Sequence, residues 1–203
     1  MNTKTETRPQ LPSPLIGHSD RNWAFQIRMV LGAILDALDE SKLALTLFQK
    51  ASKAIRRADA RLRLLYAKSF VFGLDEASQF IRVIQEDKQV PDLARAQCDR
   101  FQSAFPTLRD LRNSLHHIED RLRGLGQGDR LICTPLLVIA SLRGNNLGAT
   151  TDKGTYVEIE ISEATLQRAY PIVKDLIWGF EWIRWDNARI LPPEAKSKKV
   201  PEV

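Results

Sequence analysis

Long runs of apolar residues at spacings of three and four constrain the fold of this chain more than any other feature. The first run consists of Trp23, Ile27, Val30, Leu31, Ile34, Leu35 and Leu38. This spacing places the seven side chains on one side of an α-helix. Ser19 or Asp20 precedes the run and can cap the helix, because a side-chain oxygen there accepts from free backbone N–H groups of the first turn.

The same periodicity continues from about Ser41 to residue 84, and we predict helix there in one or two pieces. Its apolar positions include Leu43, Leu47, Phe48, Leu62, Leu65, Phe70, Leu74, Ile81 and Ile84. Gly73 lies inside this stretch and costs about 1 kcal/mol relative to alanine in a helix, so it indicates close packing or a bend. The polar residues 86–89, followed by Pro91, should end the element.

A further helix is predicted from Asp92, with an interruption or restart at Pro106. The segment Thr107–Asp110 matches a capping box, in which threonine begins a helix and an acidic residue three positions later reaches back. An apolar stripe follows at Leu108, Leu111, Leu115, Ile118 and Leu122. We therefore expect one helix from residue 108 to residue 122, ending before Gly124.

After residue 131 the spacing of the apolar residues changes from that of a helix, and three segments have the pattern of short strands. They are residues 136–143, 147–151 and 155–161, separated by the turn sequences Gly144-Asn145-Asn146 and Asp152-Lys153-Gly154. Ser162 can then cap a last helix. The sequence thus predicts a mainly α fold: a bundle of four to five helices, with a small antiparallel β-meander at residues 131–161 inserted before the last helix.

One domain is expected from the length of 203 residues and the hydrophobic content of 43%. Residues 1–18 contain three prolines and are predicted to form a flexible leader. The ordered domain should span residues 19–190. Residues 191–203, with three lysines among them, are predicted to be a disordered basic tail.

The net charge of +5 and a pI near 9.4 permit polyanionic partners such as nucleic acid. The two cysteines have no metal-like spacing, which favours a reducing cytoplasm. The N-terminus lacks an apolar segment, and the longest uncharged apolar run, residues 131–142, is too short to span a bilayer and contains Pro135. We therefore expect a cytoplasmic protein without a membrane partner.

The polar face of the helix at residues 108–122 offers candidate functional groups. Arg112, His116 and Asp120 follow one another at one-turn spacing, and Asn113 pairs in the same way with His117. A charged surface helix with two histidines is the simplest alternative. Two observations favour a site: two of the three histidines of the chain are adjacent, and an arginine that can hold phosphate precedes them by one turn.

These residues resemble the motif of the HEPN family, in which an arginine, often with a polar neighbour, is followed after four to six residues by a histidine. Here Arg112, Asn113 and His117 match. The resemblance, which covers residues 20–188, implies a bundle of four or five helices that is usually dimeric, with the motif residues of two protomers facing a shared cleft. Many members cut RNA without metal, and others bind nucleotides. The tyrosine of one toxin subgroup is missing, since Ile118 and Glu119 follow His117.

The prediction is a metal-independent endoribonuclease of a defence or toxin–antitoxin system, with no cofactor and no metal. Histidine can transfer the protons of the ribose 2′-hydroxyl and the leaving oxygen, and arginine can stabilise the phosphorane. One histidine cannot easily act as both general base and general acid. Two copies of His117 across a homodimer could, which favours a homodimer. The predicted catalytic residues are Arg112, His117 and Asn113, and the supporting residues are His116, Asp120 and Arg109. RNA or a nucleotide, and an antitoxin protein, are the other expected partners; a non-catalytic binding module and a purely structural role are the alternatives.

Overall fold

Two long helices joined by a short connection form the largest element of the fold. The computed structural model describes residues 7–12, 15–53, 57–125, 131–132, 134, 137–183, 189–190 and 192. Its helices are α1 (Arg21–Lys53), α2 (Arg57–Glu86), α3 (Asp92–Ala104), α4 (Leu108–His116), α5 (Ile118–Leu122) and α6 (Glu163–Trp178). Its strands are β1 (Leu15–Ile16), β2 (Ser141–Arg143), β3 (Asn146–Thr150), β4 (Tyr156–Glu160), β5 (Trp182–Ile183) and β6 (Arg189–Ile190). The mainly helical class is confirmed.

Helices α1 and α2 form an antiparallel hairpin that buries most of the predicted apolar positions, whereas Leu43, Leu62 and Leu65 are exposed, at 61%, 41% and 54%. Asp20 begins α1 by accepting hydrogen bonds from the backbone of Asn22 and Trp23. Gly73 lies where α2 packs closely on α1: a Cβ there would be 2.7 Å from Ser41 Oγ and 2.8 Å from the Ala37 carbonyl oxygen. Ser41 donates to the carbonyls of Ala37 and Phe70. Close packing, rather than a break, therefore explains the glycine.

The core extends from this hairpin to the other helices and to the sheet. Buried side chains of α1, α2, α3, α4 and α6 form one cluster with those of β3 and β4. Helix α3 packs on the end of α6, where a Cβ on Gly179 would be 2.8 Å from the backbone of Ala94. Within the described ranges, no helix is long and apolar enough to cross a membrane.

The antiparallel meander lies before the last helix, as predicted. Strand β3 is central and pairs with β2 and β4. In β4, Ile159 is buried and Glu158 and Glu160 are exposed, so the predicted alternation is confirmed. The first strand is shorter than predicted, because regular pairing begins at Ser141, and Gly144-Asn145 alone form its turn.

A second small sheet was not predicted and joins the two ends of the described chain. Strand β5 lies between β1 and β6. Residues 15–16 of the predicted flexible leader thus form a strand, and Gly17 donates its N–H to the Glu181 carbonyl. A strand of two residues is too short to show an alternation of apolar and polar residues, so the sequence pattern could not predict this pairing. The predicted basic tail, apart from Pro192, lies outside the described residues.

The predicted single helix over residues 108–122 is wrong. Helix α4 ends at His116, His117 leaves helical geometry with φ −96° and ψ 51°, and α5 begins at Ile118. This break raises the number of described helices to six, one more than the predicted maximum. The capping box is also wrong, because Thr107 makes no side-chain cap hydrogen bond. Ser162 does cap α6, accepting from the Thr165 N–H.

Candidate functional site

A cleft of 390 Å³ lies between α2 and the polar side of α4. It is lined by Phe72, Asp75, Glu76, Gln79, Arg109, Arg112 and His116. Helix α4 is held in place from the other side by Leu108, Leu111 and Leu115, which are buried in the core. Because α4 is amphipathic, burying these leucines directs its arginines and His116 towards the cleft and the surface.

Asp75 is the charged centre of this cleft, and it is almost completely buried, with 2% of its surface exposed. Its Oδ2 lies 2.9 Å from Arg109 Nη1 and 3.7 Å from Arg112 Nε. Gln79 donates to the other carboxylate oxygen at 3.3 Å. A buried carboxylate needs such partners, and Asp75 therefore positions both guanidinium groups, while the two arginine side chains remain partly exposed.

Arg112 contacts three different groups in the cleft. Besides Asp75, its Nη1 donates to Asn113 Oδ1 at 3.4 Å, and its guanidinium carbon lies 5.8 Å from the centre of the Phe72 ring. The side chain is only partly buried, with 29% exposed. An arginine held over an aromatic ring with part of its donor fork free is suited to an anionic ligand.

His116 shares the cleft with Arg112. Its ring lies edge-on to Phe72 at a centroid distance of 6.4 Å, and edge-on to the ring of His117 at 4.9 Å. Both histidines are exposed. The structure therefore places the two imidazoles side by side at the end of α4, where each can reach a ligand from solvent.

His117 and Asp120 lie beside the cleft and are not among its lining residues. The backbone N–H of His117 donates to the Asn113 carbonyl, and its Nδ1 lies 3.9 Å from Asp120 Oδ2. A continuous helix would have aligned Asp120 with His116. The carboxylate of Asp120 instead lies near His117, three residues before it, where it can orient the imidazole.

Three of these neighbouring side chains could offer ligand atoms to a metal ion. The donor atoms of His117, Glu119 and Asp120 lie within 4.8 Å of one another, and His117 and Glu119 are exposed. They are close in sequence around one short helix, and no buried group of the described chain orients them. The predicted cleavage chemistry uses the imidazoles and Arg112 rather than a bound cation.

The meander supports α4 from the side of Asp110. Lys153, in the β3–β4 turn, places its Nζ 3.6 Å from Asp110 Oδ2. Ser114 is buried and donates to the Asp110 carbonyl. The small sheet therefore contributes to the position of α4 without lining the cleft.

No protein-family model matches this chain, and no curated protein or solved structure is significantly similar to it. The resemblance to HEPN proteins therefore depends on the motif residues alone, and the function it implies is a proposal.

Sequence reasoning missed the α2 side of the cleft. Phe72, Asp75 and Gln79 belong to a helix whose apolar stripe was assigned to the core. The sequence does contain one signal for Asp75. This residue follows Val71 by one turn on the buried side of α2, and a carboxylate buried there needs a cationic partner from another element.

Proposed function

We propose that this chain is a metal-independent endoribonuclease of HEPN type whose active site is the cleft between α2 and α4. The observation that supports this most is the shared position of Arg112 and His116 in one cleft, with the ring of His117 at 4.9 Å from that of His116. These groups are a cation for the phosphate and two imidazoles for proton transfer. They are the groups that RNA cleavage without metal requires.

In the proposed reaction, one histidine takes the proton of a ribose 2′-hydroxyl as its oxygen attacks the adjacent phosphorus. The other histidine gives a proton to the 5′-oxygen as the phosphorus–oxygen bond to it breaks. The products are a 2′,3′-cyclic phosphate and a 5′-hydroxyl, so atoms and charges balance. Arg112 stabilises the charge on the phosphorane. Asp75 positions Arg112, and Asp120 orients His117.

His116 and His117 together supply both proton-transfer groups within one chain. The two roles can be separated by single substitutions to alanine, measured with RNA in EDTA over a range of pH. Loss of the base removes the acidic limb of the pH–rate profile, and loss of the acid removes the alkaline limb. For Arg112→Ala the matched control is Arg100→Ala, because Arg100 is an exposed arginine that pairs with Asp175 at the surface.

We further propose that the active form is a homodimer. Leu65, Phe72, Glu76 and Val83 lie on one side of α2 at helical spacing, and Leu65 and Val83 are more than half exposed, at 54% and 52%. A second copy covering this side would enclose the cleft. The mass of the protein in solution tests whether it is a dimer, and mixing Arg112→Ala chains with chains that lack both histidines tests whether the two copies share one site. Part of the activity returns if a site is shared between protomers, and none returns if each chain contains a complete site.

A second candidate function is nucleotide or RNA binding without cleavage. It is favoured by the position of His117, which the motif makes catalytic but which does not line the cleft. This function predicts saturable binding that weakens in Arg112→Ala, with no product in EDTA or in Mg²⁺. An antitoxin would be a protein that covers the same cleft and blocks either activity.

A further inference from the structure

A set of candidate metal ligands lies beside the α2–α4 cleft, where α4 meets α5. It consists of the His117 imidazole and the carboxylates of Glu119 and Asp120, whose donor atoms lie within 4.8 Å of one another. Donor atoms around one zinc ion are about 3.4 Å apart, because each lies about 2.1 Å from the metal in tetrahedral geometry. All three side chains are at least partly exposed, so they can turn by the small amount that this difference requires.

The side chains of this set are free of strong contacts with the rest of the described chain. The Asp120 carboxylate lies 3.9 Å from His117 Nδ1, within the set, and 3.9 Å from Arg123 Nη1. Both distances are too long for a hydrogen bond, and the Arg123 side chain is 69% exposed. Glu119 forms no hydrogen bond or ion pair with a described residue. A metal ion would therefore replace water rather than break contacts within the protein.

The chemistry of the three groups favours a transition metal over magnesium or calcium. Two carboxylates supply negative charge for a divalent cation, and a neutral imidazole supplies a nitrogen lone pair. Imidazole suits zinc and nickel, whereas magnesium and calcium prefer oxygen ligands alone. The ligands also fall within four consecutive residues, where the backbone leaves α4 and begins α5. Binding would therefore order only a short segment of the chain.

We propose that His117, Glu119 and Asp120 bind a divalent transition-metal ion such as zinc, and that this ion inhibits RNA cleavage. The site adjoins the α2–α4 cleft, since the ring of His117 lies 4.9 Å from that of His116, which lines the cleft. A neutral imidazole that binds a metal has no free lone pair and cannot accept a proton. The ion would therefore withdraw His117 from proton transfer. Inhibition rests on the proposed function, whereas metal binding does not.

Titration calorimetry with zinc, on the full chain treated with EDTA and dialysed, tests the site without RNA. We expect one saturable site for zinc and none for magnesium at the same concentrations. Glu119→Gln and His117→Ala should each weaken zinc binding by about tenfold or more, since even loss of an outer partner of a metal ligand costs about ten- to hundredfold. Glu86→Gln, at an exposed glutamate of α2, and His116→Ala should leave the affinity unchanged.

The rate of RNA cleavage with and without zinc tests the inhibition. Saturating zinc should slow cleavage by about tenfold or more, because one proton-transfer group contributes about a hundredfold or more. Glu119 has no role in the proposed reaction. Glu119→Gln should therefore cleave RNA in EDTA at the wild-type rate and be much less inhibited by zinc.

Three results would overturn the metal site: no saturable binding at millimolar zinc, binding that is equally tight in Glu119→Gln, or binding that is lost in His116→Ala. The last result would place the ion between the two imidazoles instead. Cleavage that zinc accelerates, or inhibition that is equal in Glu119→Gln, would contradict the inhibitory role. Absence of cleavage under every condition would count against the proposed function alone, because calorimetry measures metal binding separately.

Discussion

The α1–α2 hairpin and the α4–α5 segment have the same apolar periodicity, but the buried positions of the hairpin occur along both helices, whereas those of the second region stop at Leu115. Leu31, Leu38 and Leu74 are completely covered by neighbouring helices. In the second region the stripe is buried as far as Leu115, whereas Leu122 is 67% exposed. The change occurs at His117, where the backbone leaves the helix.

This difference shows what periodicity can and cannot establish. It identifies the apolar side of a helix, because that side needs cover, but it does not establish that a neighbour covers the whole length. Beyond Leu115 the apolar side chains are less buried, and α4 ends at His116. The candidate residues lie at this boundary, where the core fixes the arginines and the histidines are free to meet a ligand.

The largest effect should come from testing the two ends of the stripe. Leu115→Ala removes a side chain that is only 3% exposed and should lower the free energy of unfolding by about 3 kcal/mol. Leu122→Ala should change it by less than about 0.5 kcal/mol. Urea denaturation measures both. Equal losses would mean that α5 is packed as firmly as α4 and that the boundary at His117 is misplaced.

Gly73→Ala tests the close approach within the hairpin. Although alanine favours helix by about 1 kcal/mol, its methyl group would meet Ser41 Oγ and the Ala37 carbonyl, so we expect a net loss of about 2 kcal/mol. Gly32→Ala is the matched control, because the nearest atom to its Cβ, Leu11 Cδ1, is 3.9 Å away. That variant should be stabilised by up to about 1 kcal/mol. Stabilisation of both variants would contradict the packing at Gly73.

Asp75→Asn removes the charge on which both arginines converge. The expected loss is about 1.5 kcal/mol, since Asp75 is buried while the arginines can turn to water. Asp175→Asn breaks an exposed pair with Arg100 and should cost less than about 0.5 kcal/mol. Thermal unfolding compares the two variants. A smaller loss of stability for Asp75→Asn than for Asp175→Asn would show that Asp75 does not stabilise the cleft through its two arginines.

Glu76→Gln should have the smallest effect of these substitutions, and it should be a gain in RNA binding rather than a loss. Glu76 and Asp75 together offset the charges of Arg109 and Arg112 in the cleft. Removing the exposed carboxylate should strengthen RNA binding about threefold at low salt, and the gain should shrink as salt is added. Fluorescence anisotropy with a labelled oligonucleotide measures this. Weaker binding would indicate that Glu76 contacts the ligand itself.

Much of the fold could be predicted from the sequence because local patterns determine it. The helices from Trp23 to Ile84, the glycine contact at position 73 and the meander before α6 all follow from spacing, turn residues and alternation. The helix break at His117 could not be predicted, since no proline or glycine marks it. The β1–β5 pairing joins residues far apart in the chain and depends on tertiary contacts.

The sequence predicted the residues that α4 contributes to the candidate site, but not those that α2 contributes. Arg112, Asn113, His116 and His117 are adjacent in sequence, so a motif could reveal them. Asp75 is 34 residues from Arg109 and is brought to it by the packing of α2 on α4. A pairing of that kind is a property of the fold, which a local pattern does not contain.

The most direct test of the central claim is the rate of RNA cleavage by the purified protein in EDTA. The proposal predicts products with 2′,3′-cyclic phosphate ends from the wild-type chain, and loss of these products in a folded variant with Arg112→Ala and His117→Ala together. Folding of the variant is checked by its unfolding midpoint. Equal cleavage by the wild-type chain and the double variant, or none by either, would contradict the assignment of this cleft as a metal-independent ribonuclease site.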